Sequence, residues 1–121
     1  MDAGPSGGDV DARLAQVQQL ATAINANSVN HAVIVAGDTN LKPADDSETL
    51  AALLSDANLS DSCQALSCPE PERIDRIMYR SSSTLMLTAS SWQVDSSFVD
   101  EQGEDLSDHE AVAVTLSWTA L

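Results

Sequence analysis

The sequence has few residues of several kinds, and each shortage excludes a class of protein. Only 5 Lys and Arg residues stand against 19 Asp and Glu residues, and the net charge is -14. A protein that binds long nucleic acids needs many cations to displace phosphate counterions, so a broad nucleic-acid interface is excluded. The same charge disfavours binding to anionic membrane surfaces. No apolar run approaches the roughly 18 residues that a membrane-spanning helix requires.

Cysteine is also scarce. Cys63 and Cys68 are the only two in the chain. Their close spacing is compatible with a small disulfide-closed loop or with two free thiols, because spacing alone does not fix connectivity. A disulfide would indicate a secreted protein, and free thiols would indicate a cytoplasmic one. A zinc site is not expected, since no further suitable ligands lie nearby.

The remaining composition indicates one small folded domain. Hydrophobic residues make up 43% of the 121 positions, which is too many for a disordered acidic tail. Residues 1–8 are rich in Gly and predict a flexible lead-in. The folded domain is expected over residues 9–121.

Apolar periodicity predicts two helices and several strands. A helix is expected from Asp9 to about Asn25, and a second, shorter helix around residues 50–57. Asp45 and Asp46, ahead of the second helix, are expected at the solvated surface. The segment 33–35 is continuously apolar and β-branched, which is typical of a strand buried on both faces. Further strands are predicted at 74–79, 84–87, 92–99 and 111–118. This order indicates an α/β (α+β) fold with two helices covering one face of one mostly antiparallel sheet, and the opposite face left open.

Polar side chains lie at the ends of three predicted strands. The segments are Gly-Asp-Thr-Asn at 37–40, Arg-Ile-Asp-Arg-Ile at 73–77 and Leu-Ser-Asp-His at 106–109. Taken singly, each also fits a turn, a helix cap or an ion pair, with Arg73 or Arg76 as the partner of Asp75. Strand ends in layered α/β folds are where functional side chains commonly converge. The three segments together therefore predict one site.

In this order the segments resemble the C-terminal half of the endonuclease/exonuclease/phosphatase family, whose fold is DNase I-like. Members have Gly-Asp-x-Asn after an apolar strand, then an Arg-Ile-Asp-aromatic-Ile strand, and Ser-Asp-His before the last strand. The resemblance covers residues 9–118 and implies half of a four-layer α/β sandwich. Arg76 stands where the family has an aromatic residue, which predicts altered packing or a cation near a phosphate. The sequence contains no counterpart of the N-terminal half of the family domain, so that half is expected as a partner.

The resemblance implies hydrolysis of phosphate esters with Mg²⁺ or Mn²⁺ as the cofactor. Asp38 would orient or deprotonate the attacking water, and Asn40 would hydrogen-bond that water or a phosphoryl oxygen. His109 would stabilise the charge of the transition state, and Asp75 would fix the tautomer of His109. Asp108 would bind the metal. A single metal carboxylate predicts weak metal binding. Because the N-terminal half of the site is missing, the isolated chain is expected to be impaired or inactive.

The charge favours some substrates over others. A lipid head group or another small phosphodiester, as in sphingomyelinases, fits an acidic protein better than long DNA does. Two alternatives stay open at this point. The chain is an interaction module that keeps the fold pattern without catalysis, or a fragment with no independent function and an exposed apolar sheet face.

Overall fold

The computed structural model describes residues 1–121 and contains three helices and five strands. In chain order they are α1 (Gly7–Asn27), β1 (Val33–Asp38), α2 (Pro43–Asp56), β2 (Ser60–Asp61), α3 (Ser62–Ala65), β3 (Asp75–Arg80), β4 (Leu85–Asp95) and β5 (Ala111–Ala120). All strand pairs are antiparallel. The mixed α/β class and the antiparallel pairing are as predicted. None of the helices is sufficiently long and apolar to span a bilayer.

The strands are divided between two sheets, where the sequence predicts one. One sheet has the order β1-β3-β2, and the other pairs β4 with β5. β1 pairs with one edge of β3 along its whole length, and β2 pairs with the other edge at Met78 and Tyr79. Because both edges of β3 have partners, β4 and β5 pair with each other. The predicted strands 84–87 and 92–99 are one strand, β4, which continues through an irregularity between Ala89 and Ser91.

The hydrophobic core lies between the two long helices and one face of the three-stranded sheet. Burying a Val, Leu, Ile or Met side chain contributes about 1.5–3 kcal/mol, so this cluster holds the helices on the sheet. Its 9 buried members are Val17, Ala21 and Ile24 of α1, Leu50 and Leu53 of α2, Met78 of β3, and Leu41, Ala57 and Leu59 of the connecting loops.

A side-chain cap sets the start of α1, which begins earlier than the predicted position at Asp9. The Ser6 hydroxyl accepts a hydrogen bond from the Asp9 N–H at 3.2 Å, and the Asp9 carboxylate accepts one from the Ser6 N–H at 2.9 Å. This reciprocal arrangement satisfies two otherwise unpaired donors. The hydrogen bond from the Ser6 side chain also lowers the pKa of Asp9. The boundary predicted between residues 8 and 9 therefore falls inside α1.

β1 is buried on one face only, so the prediction of burial on both faces is wrong. Val33 and Val35 pack against the core, whereas the Ile34 residue is 56% exposed. The reason is that the helices cover only one face of the sheet. Trp118 in β5 is also open to solvent. The open apolar face agrees with expectation, and the partner that would cover it stays a prediction.

Asp46 is not a solvated surface residue as the sequence predicts. Its carboxylate accepts from Arg13 Nε at 3.0 Å, with 0% of the Asp46 side chain and 5% of the Arg13 side chain exposed. The other carboxylate oxygen accepts from the Lys42 N–H. Asp46 lies in the first turn of α2, on the side that faces α1, so burial there requires this partner.

Arg76 lies in the core, where its charge is paired within the protein. Successive residues of a strand point to opposite faces, so Arg76 faces the helices while Asp75 faces away from them. The Arg76 guanidinium donates to Asp61 at 2.6 Å and to the Leu41 carbonyl at 3.1 Å. Of the two predicted consequences of this residue, altered packing is the one observed.

The two cysteines form a disulfide between Cys63 and Cys68. Cys63 belongs to the short helix α3, whose N-terminus is capped by the Asp61 carboxylate at 2.9 Å. Cys68 lies in the loop that leads to β3. The bridge therefore ties this loop to α3 just before the strand that begins with Asp75.

Candidate active site

The register of β1 and β3 places Asp38 directly opposite Asp75. Asp38 is the last residue of β1, and Asp75 is the first residue of β3. Side chains of directly opposed residues in an antiparallel pair point to the same face, with Cβ atoms roughly 5 Å apart. Two carboxylates from distant parts of the chain are thus brought together at one end of the three-stranded sheet.

His109, which lies just before β5, completes this cluster. Its Nδ1 is 3.0 Å from Oδ1 and 2.9 Å from Oδ2 of Asp75. An ionised carboxylate can only accept hydrogen bonds, so Nδ1 of His109 is the donor. The other ring nitrogen, Nε2, faces Asp38. The distance from Nε2 to Asp38 Oδ2 is 3.9 Å. One potential ligand atom from each of the three side chains lies within 4.8 Å of the others, so the side chains of this Asp38–Asp75–His109 cluster are close enough to contact one ion.

The hydrogen bond from His109 to Asp75 raises the pKa of His109 above its ordinary value. The negative charge of Asp75 acts in the same direction, and the charges of Asp38 and Asp108 add to it. Partial desolvation opposes them. A raised pKa favours the imidazolium, in which both ring nitrogens are donors.

Replacing Asp75 with asparagine is expected to lower the pKa of His109 toward the unperturbed value of about 6.5. The change removes both the charge and the strongest acceptor beside Nδ1. An NMR titration of the imidazole protons of the metal-free protein measures the shift, and His31, which is exposed and distant in sequence, serves as the internal control. An unchanged His109 titration in Asp75→Asn would contradict the assignment.

The same substitution makes a prediction about stability. Because folding raises the pKa of His109, the stabilisation is fully present below the unfolded-state pKa and is lost as the pH rises through the folded-state pKa. Wild type should therefore be more stable than Asp75→Asn at about pH 5.5, with the histidine-dependent part of the difference gone at about pH 9. Urea unfolding at both pH values measures the difference in free energy of unfolding between the two proteins. A difference that is larger at the higher pH would contradict the prediction.

Asn40 and Asp108 lie beside the cluster. The Asn40 N–H donates to Asp38 Oδ1 at 2.8 Å, which orients that carboxylate. The Asn40 side-chain Nδ2 donates to the Met1 carbonyl at 2.7 Å. Asp108 is exposed and lines the neighbouring cleft, but it is not one of the three residues whose ligand atoms converge.

The loop after β1 is held in place on the body of the molecule. The Thr39 N–H and Thr39 hydroxyl both donate to the Ile74 carbonyl, at 2.9 and 2.8 Å. Asn40 adopts a φ of 52°, in the left-handed region that asparagine tolerates better than most residues. Leu41 is fully buried. These contacts fix the position from which Asp38 and Asn40 extend.

A cleft with a volume of about 590 Å³ opens beside Asp75, Asp108 and His109. Its wall also includes Lys42 and Arg73, which the sequence motifs do not assign to the site. The sequence contains a signal that could have placed Lys42 at the site. Lys42 follows the Gly-Asp-Thr-Asn segment closely and is the chain's one lysine. For Arg73 the sequence suggested an ion pair with Asp75, which the structure does not form.

Arg73 pairs with glutamates instead. Its Nη2 donates to Glu110 at 2.5 Å and to the two carboxylate oxygens of Glu70 at 3.1 and 3.2 Å. The hydrogen bond to Glu110 is the main reason that the pKa of Arg73 is raised. Glu110 follows His109 directly, so this ion pair fixes the segment before β5 against the segment before β3.

Known proteins resemble this chain in sequence and in fold, although no family model matches it. Sphingomyelinases of Mycobacterium bovis and of Mycobacterium tuberculosis are 33% identical to it over 121 aligned positions, which cover 88% of this chain and 25% of each relative. A crystal structure of humanized D. rerio TDP2 with 14 mutations has a TM-score of 0.68 at 23% identity and covers 96% of this chain. The chain belongs to the endonuclease/exonuclease/phosphatase family.

Within this family the chain corresponds to the C-terminal part of the DNase I-like domain. It spans 49% of the TDP2 structure and about a quarter of the curated sphingomyelinases that it matches. The family's Gly-Asp-x-Asn, Arg-Ile-Asp and Ser-Asp-His segments are the stretches that supply Asp38, Asp75 and His109 to the cluster. The family resemblance and the observed fold therefore agree.

Proposed function

We propose that this protein hydrolyses phosphate esters at the Asp38–Asp75–His109 cluster with the help of a divalent cation. The observation that carries the proposal is the convergence of these three side chains, of which Asp75 and His109 also line the cleft. They come from the ends of three different strands, which is the arrangement expected of a site and not of a local turn. The similarity to sphingomyelinases supports the same class of reaction.

The side chains of the site fit a hard divalent cation. Carboxylate oxygens are the protein ligands of Mg²⁺, which binds through one or two of them and keeps several waters. Asp38 and Asp108 are exposed and have oxygens free for such contacts, whereas Asp75 is engaged with His109. We assign Asp108 as the main ligand and Mg²⁺, or Mn²⁺, as the ion. When bound, the cation supplies positive charge that offsets the negative phosphoryl oxygens.

The distance between Asp38 and His109 suits an attacking oxygen. A water at about 2.8 Å from Asp38 Oδ2 fits beside the 3.9 Å gap to His109 Nε2, whose hydrogen is left for the phosphoryl group. Asp38 Oδ2 then accepts the proton of a water, while its Oδ1 is held by the Asn40 N–H. Asn40 Nδ2 has a second hydrogen beside the one it donates to Met1, and this hydrogen is available to the water.

His109 and Asp75 act together on the phosphoryl group. Asp75 holds Nδ1, so Nε2 is directed into the site. We infer that Nε2–H donates to a non-bridging phosphoryl oxygen and stabilises the charge that develops there in the transition state. The raised pKa of His109 supports this role, because it favours the protonated imidazole, in which Nε2 carries a hydrogen.

The substrate that we propose is a small phosphodiester or a lipid head group, in preference to long DNA. A net charge of -14 repels a polyanion. The cleft volume of about 590 Å³ lies in the range of small-molecule sites.

The test compares hydrolysis of a choline phosphodiester and of plasmid DNA, each with Mg²⁺ and then with excess EDTA. We expect slow hydrolysis of the choline ester that EDTA abolishes, and little cleavage of the plasmid. The exposed Asp11 on α1 provides the control, since Asp11→Asn should keep the activity that Asp38→Asn loses. Hydrolysis that survives EDTA would contradict the cation requirement, and efficient plasmid cleavage would contradict the proposed substrate.

We also propose that the protein is exported. The disulfide between Cys63 and Cys68 supports this, because disulfides persist in oxidising compartments and are rare in the cytoplasm. Thiol titration of the natively purified, unfolded protein should find no free thiols before reduction and two after it. Two free thiols before reduction would point to a cytoplasmic protein.

A further inference from the structure

Lys42 is the one side chain among the lysine and arginines of this protein that has no hydrogen-bonding or ion-pair partner. The other four cations are engaged within the molecule. Arg13 and Arg76 are buried against Asp46 and Asp61, and Arg73 is paired with Glu70 and Glu110. Arg80 donates to the carbonyls of Ser28, His31 and Ala57 and to the side chain of Asn25.

The backbone around Lys42 is held firmly, although its side chain is exposed. The carbonyl of the preceding residue, Leu41, accepts from Arg76 at 3.1 Å. The Lys42 N–H donates to Asp46 at 3.2 Å, and the next residue, Pro43, starts α2. The side chain therefore extends from a fixed point, and binding through its ammonium group requires no rearrangement of the backbone.

This fixed point lies on the wall of the proposed active-site cleft. Lys42 lines the cleft together with Asp75, Asp108 and His109. In a protein with a net charge of -14, it supplies the one lysine charge that no carboxylate neutralises. A lysine ammonium is a compact charge on a flexible stem, which suits contact with a phosphate oxygen.

We propose that Lys42 is a substrate-binding residue that contacts a non-bridging oxygen of the phosphoryl group at this cleft. The proposal rests on the function proposed above and adds a specific anchor for the substrate. Its chemistry recognises the phosphoryl group itself, whether free or part of a lipid head group. A partly buried arginine such as Arg73 is less suited to this task, because it must first leave Glu110.

The test is an NMR titration of the metal-free protein with inorganic phosphate, and in a second arm with phosphocholine. We expect Lys42→Gln to weaken phosphate binding about fivefold to tenfold, because one charge at contact distance is lost. Lys42→Arg should retain binding. Gln18→Glu, on the exposed face of α1, lowers the net charge by the same amount as Lys42→Gln and should have no such effect. If Lys42→Gln binds both phosphate and phosphocholine more weakly than wild type does, the ligand is a head group. If it binds only phosphate more weakly, the ligand is free phosphate.

Equal phosphate binding by wild type and Lys42→Gln would overturn the proposal. So would an equal loss in Gln18→Glu, which would show a general charge effect, or no binding of either probe by wild type. The result is separable from the proposed function. A chain that binds phosphate through Lys42 and hydrolyses nothing would disprove the hydrolase proposal alone, whereas a hydrolase in which Lys42→Gln binds phosphate normally would disprove the role of Lys42 alone.

Discussion

Replacing His109 with alanine is expected to lower the rate of phosphate ester hydrolysis by about two to four orders of magnitude. The reason is that Nε2 of His109 is the donor placed to stabilise the phosphoryl oxygens, and it faces Asp38 across 3.9 Å. Hydrolysis of a choline phosphodiester at saturating Mg²⁺ measures the loss. The fold should be retained because His109 is exposed.

The matched control is His31→Ala, which removes the one other histidine of the chain. His31 is exposed, and its hydrogen bonds are made by its backbone N–H and carbonyl, which alanine keeps. The control should hydrolyse the ester at the wild-type rate. A His109→Ala protein that keeps full activity would refute the proposed mechanism. No measurable hydrolysis by wild type would instead favour the interaction module, in which His109→Ala should leave partner affinity unchanged.

Replacing Asp61 with alanine is expected to reduce the free energy of unfolding by about 3–5 kcal/mol. Asp61 and Arg76 are 1% and 3% exposed, and they are 2.6 Å apart. Without the carboxylate, the guanidinium of Arg76 stays in the core as an uncompensated charge. The N-cap of α3 is lost as well, since Asp61 accepts from the Cys63 N–H. Urea unfolding followed by circular dichroism measures the change.

Two variants separate the buried charge from other effects. The double variant Asp61→Leu with Arg76→Met removes both charges and should lose much less stability than Asp61→Ala. Glu110→Ala removes one partner of the ion pair between Arg73 and Glu110, in which the glutamate is largely exposed. It should reduce the free energy of unfolding by less than about 1 kcal/mol. If Asp61→Ala also reduced the free energy of unfolding by less than about 1 kcal/mol, the guanidinium of Arg76 would have to be solvated by water without Asp61.

The convergence of Asp38, Asp75 and His109 was predictable from the sequence. Each residue follows or opens a strand, and the family resemblance links the three stretches. The structure adds the antiparallel register that sets Asp38 against Asp75 and the hydrogen bond that orients His109. The roles of these residues in catalysis stay predictions.

The buried ion pairs were not predictable from local pattern. Asp46 resembles its acidic neighbours in sequence, and Arg13 lies 33 positions away. Arg76 was considered as a phosphate-site cation, but its partner Asp61 is 15 positions away and on a strand too short to be recognised. A charged residue is usually at the surface, and only a partner from another element reverses that expectation.

The sequence by itself determined the two long helices, the positions of most strands, the shortage of cations and the three polar segments, because these depend on neighbours within a few positions. The tertiary structure decided which carboxylates are buried, how the strands are shared between two sheets, and that Lys42 lines the cleft without a partner. Those outcomes depend on residues far apart in the chain. The free energy of bringing charges together or keeping them apart is set by burial and distance, which only the folded arrangement defines.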